Sequence, residues 1–351
     1  MAEKAQEVKQ SNKWRHILTW VTLGALLLLL FLLRDQISET FSNLDRVNVY
    51  ILLFIIFWQV INYHTYAKLY QGLFDILGKK FKYKPMYKVA VELNFVNHVF
   101  PSAGVSGFSY FGLRMKQLGA TPAQSTLVQT MRFITIFMSF QVLLLIGLFI
   151  LAVNGKASNL TILVASSLGT LLVVGTLAII YIVSSRRRID IFFTALTKFL
   201  NKLIQVVRPK HPETINIASV RKLFLEFHEN YVILKKNYTK LKMPLVYAFF
   251  ASLTEILTIY TVYVAFGEFI NFGAVIIAYA IANFAGLISV LPGGIGVYEG
   301  LMTAVLATVG VPPSTSLPIT IMYRVLSSAV QLPPGYYLYN KAINKRSKPP
   351  V

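Results

Sequence analysis

Residues 17–33 (Ile17 to Leu33) carry no charge, and five further apolar stretches follow at 49–67, 127–153, 159–183, 244–266 and 318–340. At about 1.5 Å of rise per helical residue, each is long enough to cross a hydrocarbon core about 30 Å thick. Backbone N–H and C=O groups find no partner in lipid, so segments of this length and composition have to be helical. Basic residues such as Lys13 and Arg15 also precede secretory signals. No small-residue cleavage pattern stands before Arg34, however, so 17–33 reads as an uncleaved first helix. Only 14% of the chain is charged, against about 25% in a soluble domain. With no cysteine either, a soluble enzyme, a secreted disulfide scaffold and a disordered chain are all excluded as classes.

Two more apolar regions, 89–118 and 273–310, are interrupted in the middle by proline and glycine. The positive-inside rule orients the whole set. With the N-terminus in the cytoplasm and each broken region entering and leaving by one face, the inside segments are 1–16, 68–88, 112–126, 186–242 and 341–351. They hold 29 Lys and Arg, whereas the outside segments hold Arg34, Arg46 and Lys156. Both termini are therefore expected inside. Residues 89–100 and 297–310 are too short to cross, which favours re-entrant pairs over complete spans. The expected fold is all-α: a polytopic bundle of about eight membrane segments, six full spans plus two broken helix pairs.

The longest inside segment, 186–242, opens with Arg186, Arg187 and Arg188. Phe192, Phe193, Leu196, Phe199, Leu200, Leu203, Ile204 and Val207 then recur at helical spacing, with Lys198 and Lys202 interleaved. This pattern predicts an amphipathic connector lying on an anionic leaflet. A second stripe of Val220, Leu223, Phe224, Phe227 and Tyr231 follows Pro209 and Pro212. No nucleic-acid recognition motif accompanies the basic surplus, so nucleic acid is not expected as a partner.

The two broken regions repeat one another. Pro101, Gly104 and Gly107 lead to Gly119, Pro122 and Arg132; Pro292, Gly293, Gly294 and Gly296 lead to Gly310, Pro313 and Arg324. Pro101 to Gly119 and Pro292 to Gly310 each span 18 positions, and Pro101 to Pro122 and Pro292 to Pro313 each span 21. The arginines follow at 31 and 32 positions, an offset of 191 with one later insertion. The units are approximately 49–153 and 244–340. The first begins outside and the second inside, so the copies are inverted in the membrane. Inverted repeats with paired interrupted helices mark transporters whose site lies where the repeats meet.

Ionisable groups in these regions need a partner or water, since a charge at the bilayer centre costs roughly 2.5–3.5 kcal/mol on insertion scales. Arg132 and Arg324 are expected to face a central cavity and to bind a lipid phosphate, because a guanidinium contacts phosphate through two parallel bonds. Glu92, Glu255 and Glu299 would balance them or engage a cationic headgroup. Asn94, Asn97 and His98 are expected on the same wall, and Pro101, Gly104, Pro292, Gly293, Gly294 and Gly296 form the breaks. The competing reading is that Glu–Arg pairs merely lock helices together. Arg114, beside Lys116, reads as an interfacial anchor, and His64 as a side chain reaching for the interface from a helix end. No catalytic residue, metal set, cofactor or nucleotide loop emerges: Gly294 and Gly296 lack the third glycine of a dinucleotide motif.

The stretches Asn94–Gly104 and Leu291–Gly300, with Arg324 in Ile321–Leu326, resemble the transmembrane region of the lysylphosphatidylglycerol synthase family, also called flippase-like membrane proteins. The resemblance extends over about 15–340. Larger members of that family join this region to a cytoplasmic domain that transfers lysine from lysyl-tRNA to phosphatidylglycerol. Only eleven residues follow Asn340, so that domain is not expected here. The resemblance implies translocation of an anionic or aminoacylated phospholipid between leaflets of a bacterial inner membrane. The alternative it implies is a membrane component of a lipid-modifying enzyme such as phosphatidylglycerol lysyltransferase, working with a separate catalytic partner.

Overall fold

The computed structural model describes residues 31–100, 105–155, 158–207, 217–288 and 294–344, with Gly24, Leu27 and Leu28. Every regular element among them is helical. In chain order these are α1 (Arg34–Ser42), α2 (Phe54–Ile76, entered through a helical turn at Val49–Leu52), α3 (Tyr83–Val99), α4 (Val105–Gln117), α5 (Pro122–Val153), α6 (Asn159–Val183), α7 (Arg186–Val207), α8 (Ile217–Lys236), α9 (Lys242–Ala265), α10 (Phe272–Ile288), α11 (Val297–Ala307) and α12 (Pro313–Asn344). The chain is a polytopic membrane bundle.

Among the described residues, four helical stretches are both long and apolar enough to cross a bilayer: Val49–Ile76, Pro122–Val153, Asn159–Val183 and Tyr238–Ala265. The expected span 318–340 lies inside α12, whose 32 residues amount to about 48 Å. Its apolar character is diluted by Arg324, Gln331 and Pro318, Pro333 and Pro334. The expected span 17–33 lies mostly outside the described residues, as do the breaks at Pro101, Gly104, Pro292 and Gly293.

Local chemistry explains where the long helices start. Thr121 accepts from the Gln124 amide at 3.1 Å, the Gln124 side chain accepts from the Thr121 amide at 3.1 Å, and Pro122 occupies the first turn of α5. This reciprocal cap satisfies two otherwise orphaned donors. Three residues before each of α5 and α12 stands a glycine in the left-handed region, Gly119 at φ +94° and Gly310 at φ +89°. Only glycine adopts that turn without strain. The two helices start at 122 and 313, an offset of 191, and both run unbroken past their arginines. The later insertion inferred from the arginines is therefore not needed. Arg132 and Arg324 instead occupy adjacent rather than equivalent positions, turned about 100° apart around their helices.

Two hydrophobic cores hold the bundle. One gathers Leu73 and Phe74 of α2 and Phe111 of α4 with Leu127 and Val128, near the start of α5, and Tyr339, late in α12. The other gathers Ile276, Ile277 and Met302 of the second hairpin region with Leu143 and Leu151, late in α5, and Ile319 and Met322, early in α12. Each long helix thus serves opposite cores with its opposite ends. α2 and α9 join the halves through polar stitches: Trp58 Nε1 donates to Thr261 Oγ1 at 3.0 Å, and Asn62 Nδ2 to the Ala251 carbonyl at 2.9 Å and Thr254 Oγ1 at 3.0 Å. Glycine permits a close helix approach between α5 and α10. A Cβ on Gly273 would stand 2.5 Å from the Gly147 carbonyl oxygen.

The connector 186–242 forms α7 and α8. Phe227 and Tyr231 of its second apolar stripe are buried against Val183, Ile189 and Leu234, so these two residues pack on protein rather than on a leaflet. In the first stripe, Phe192 is exposed; the side chains of the other seven lie outside those described.

Candidate functional site

Between the two cores lies a cavity of about 300 Å³. Its wall draws on the middles of α5 and α12, on α2 and α9, and on both hairpin regions. Arg132 and Arg324 both line it. They sit ten and eleven residues into their helices, about 15–17 Å along the axis, roughly half of a 30 Å hydrocarbon core.

The two arginines are held differently. Arg324 Nη1 donates to Glu299 Oε1 at 2.6 Å, and its guanidinium lies over the Tyr298 ring at 5.0 Å. Glu299 is 3% exposed and stands behind the wall rather than on it. Its Oε2 accepts from the Gly296 amide at 2.7 Å, capping α11, and Gln36 of α1 donates to Oε1 at 3.2 Å. The turn that brings these groups together needs glycine at two positions, Gly294 at φ +67° and Gly296 at φ +83°.

Arg132 lies over the rings of Tyr66 and Phe133 at 5.1 and 5.3 Å. Its guanidinium also bonds the Tyr66 side chain, while its buried Nε has no hydrogen-bond partner among the described residues. The carboxylate nearest in charge balance is Glu255, which also lines the cavity. Glu255 accepts from Asn62 Nδ2 at 3.5 Å and from the Tyr279 hydroxyl. These donors are neutral, so Glu255 is bound without being paired.

Asn94, Asn97 and His98 line the same wall. Asn94 Nδ2 donates to Gln331 Oε1 and to the Tyr63 hydroxyl, both at 3.1 Å, and Gln331 Nε2 donates to Gln59 Oε1 at 2.7 Å. This relay ties α3 to α12 and α2 across the repeat boundary. His98 Nδ1 donates to the Asn94 carbonyl at 2.9 Å, since a carbonyl oxygen only accepts. Asn97 is set by close approach: a Cβ on Gly107 would stand 1.9 Å from its Oδ1. The Ser327 hydroxyl, also on the wall, is buried without a partner in the protein. An unsatisfied buried polar atom costs about 1–3 kcal/mol, so a surface carrying such atoms suits water or a polar ligand rather than acyl chains.

Glu92 is placed elsewhere. It is 1% exposed and bonded by Arg114 Nε at 2.8 Å and by the Tyr110 hydroxyl at 2.9 Å, off the cavity wall. Arg114 is thus the inner partner of a buried pair, not an interfacial anchor; the expectation failed because Lys116, two residues on, lies on a different side of α4. His64 is exposed and bonded to the Tyr83 hydroxyl at 2.8 Å, outside the cavity. The expected set of eight side chains therefore divides: Arg132, Arg324, Glu255, Asn94, Asn97 and His98 meet at the cavity, and Glu92 and Glu299 support the frame. Sequence reasoning missed the aromatic part of the wall, Tyr66, Tyr70, Tyr279, Tyr298 and Tyr323. The four-residue spacing of Tyr66 and Tyr70 was the available signal.

Residues 17–335 match the family described as the lysylphosphatidylglycerol synthase TM region. The chain is 36% identical over 91 residues to a UPF0104 membrane protein of Methanothermobacter thermautotrophicus, a match covering 26% of this chain and 27% of the relative. A UPF0104 membrane protein of Pyrococcus horikoshii is 30% identical over 102 residues, 29% of this chain and 30% of that one. One from Methanocaldococcus jannaschii is 24% identical over 309 residues, 86% of this chain and 87% of the relative. The matches to the first two thus span less than a third of those relatives' length.

Proposed function

Since the chain belongs to the lysylphosphatidylglycerol synthase TM region family, we propose that this membrane protein carries phospholipid headgroups between leaflets, with the phosphate bound by Arg132 and Arg324 in the central cavity. One observation carries the reading: two arginines from two similar, oppositely engaged helices line one cavity, ten and eleven residues into those helices. Broken backbone and buried charge are tolerated in a bilayer where they line a cavity, and a site at the junction of inverted repeats is the geometry of alternating access. A space of about 300 Å³ suits a headgroup and not two acyl chains, so the chains would remain in the membrane. An anionic or aminoacylated phosphatidylglycerol fits the two arginines and Glu255. The cell membrane, with both termini cytoplasmic, is the location this reading requires, and the basic connector 186–242 would rest near its anionic leaflet.

The test is reconstitution into vesicles carrying fluorescently labelled phosphatidylglycerol, with membrane-impermeant quenching to count the lipid in the outer leaflet. Wild type should equilibrate the label faster than protein-free vesicles. Arg132→Ala, which removes a charge-assisted phosphate contact of about 1.5–3 kcal/mol, should slow it about tenfold or more. A wild-type rate equal to that of empty vesicles, or a folded Arg132→Ala protein as fast as wild type, refutes the reading. The family description contains a synthase and so favours a second role, supplying lipid to a separate modifying enzyme. Headgroup analysis of a deletion strain separates the two, because loss of an enzyme component changes lipid identity and loss of a translocase changes only its leaflet.

A further inference from the structure

The cavity's two guanidinium groups differ in how far their charge is already committed. Arg324 is hydrogen-bonded to Glu299 at 2.6 Å. Arg132 makes no ion pair with any described residue, and its Nε is unpartnered. The wall carboxylate that balances it, Glu255 on α9, is held by neutral donors, Asn62 through Oε1 at 3.5 Å and Tyr279 through Oε2. Facing Glu255 are Asn62 and Tyr66 from α2, Arg132 from α5, Tyr279 from α10, Tyr298 from α11 and Tyr323 from α12. Of these six groups Arg132 alone is a cation.

This arrangement sets up a charge linkage. While the cavity is empty, Arg132 is the cation that faces Glu255 and the group that can balance it as a carboxylate. A phosphate that engages Arg132 takes that balancing charge for itself and adds a negative charge to the same small cavity. Glu255 is then an uncompensated carboxylate facing an anion in a poorly solvated site, a state proteins relieve by neutralising the group. Oε1, whose bond to Asn62 is long, is the oxygen free to receive a proton.

We infer, building on the reading of the cavity as a phosphate-headgroup site, that Glu255 takes up one proton when a phosphate occupies Arg132, so that headgroup and proton are loaded together and translocation is proton-coupled. The proton passes from water at the cavity mouth to Glu255 Oε1 to give the neutral acid, and no other bond forms or breaks. The loaded state binds one proton more than the unloaded one, so phosphate affinity falls as pH rises.

Calorimetric titration of the protein in detergent tests this, with two probes that carry no ionisation of their own between about pH 6 and about pH 8: dihexanoylphosphatidylglycerol as monomers, and glycerophosphoglycerol as the same phosphodiester headgroup without chains. Repeating each titration in buffers of different ionisation enthalpy counts protons directly in the wild type. The expected result is an uptake approaching one proton per phosphate and an affinity that weakens about tenfold per pH unit over part of the range from about pH 6 to about pH 8. Glu255→Gln should bind with no proton uptake and no pH dependence. Wild type binding without proton uptake at any pH in that range, or Glu255→Gln keeping the wild-type uptake, overturns the coupling while leaving the phosphate site intact. Failure of both probes to bind wild type removes the phosphate site itself, and the proposed function with it. Proton-linked binding of glycerophosphoglycerol alone upholds the coupling and moves it from lipid to a soluble phosphodiester.

Discussion

Glu299 lets the energetics of the second hairpin be worked through in detail. One carboxylate performs two tasks, balancing Arg324 through Oε1 at 2.6 Å and capping α11 through Oε2 and the Gly296 amide at 2.7 Å. Both side chains of the pair are shielded, at 4% and 15% exposure for Glu299 and Arg324. Removing one partner of a buried pair costs about 3–5 kcal/mol, most of it the burden of the charge left behind. Losing a helix cap adds about 1 kcal/mol. Glu299→Ala should therefore destabilise by about 4–6 kcal/mol. Glu299→Gln keeps an acceptor for the Gly296 amide and should lose about 3–4 kcal/mol. Arg324→Met alone should lose a similar amount by stranding Glu299. The double substitution Glu299→Gln/Arg324→Met leaves no charge behind, so its loss should fall short of the sum of the singles by at least about 2 kcal/mol. Unfolding in mixed micelles on titration with a denaturing detergent, followed by the fluorescence of the three tryptophans, measures all four variants. Additivity within about 0.5 kcal/mol would show that the pair does not act as a unit and would refute this account of the hairpin.

Two further predictions concern the frame. Gly273→Ala would place a methyl 2.5 Å from the Gly147 backbone oxygen, which cannot swing aside. α5 and α10 must separate, and the same unfolding assay should show a loss of about 1–3 kcal/mol; an unchanged midpoint would mean that the helices are not in such close contact. Arg114→Gln strands Glu92, which is 1% exposed, and should cost about 3–5 kcal/mol of stability while leaving phosphate binding per folded molecule unchanged, because this pair lies off the cavity wall. A loss of binding affinity with unaltered stability would reverse that assignment.

The sequence alone determined the class of fold, the positions of most spans, and the residues whose presence in lipid demands explanation. Those features are legible because they are chemical anomalies along one dimension: a charge such as Arg132 or Arg324 inside an apolar run, or a proline–glycine interruption at the same offset twice. The glycines matched by that spacing, Gly119 and Gly310, both adopt left-handed turns in the structure. The tertiary structure alone decided which charges meet. Glu92 pairs with Arg114 and Glu299 with Arg324, while Glu255 is left with Asn62 and Tyr279. It alone also revealed the tyrosine wall and the opposite engagement of α5 and α12. The physical reason is that lipid and protein interior are almost equally apolar. A helix such as α5 is apolar around most of its circumference, so its sequence carries little periodicity to say which face meets acyl chains and which meets a cavity. Only the packing of neighbouring helices settles that orientation, and with it which buried charge finds a partner and which is left to find one in a ligand.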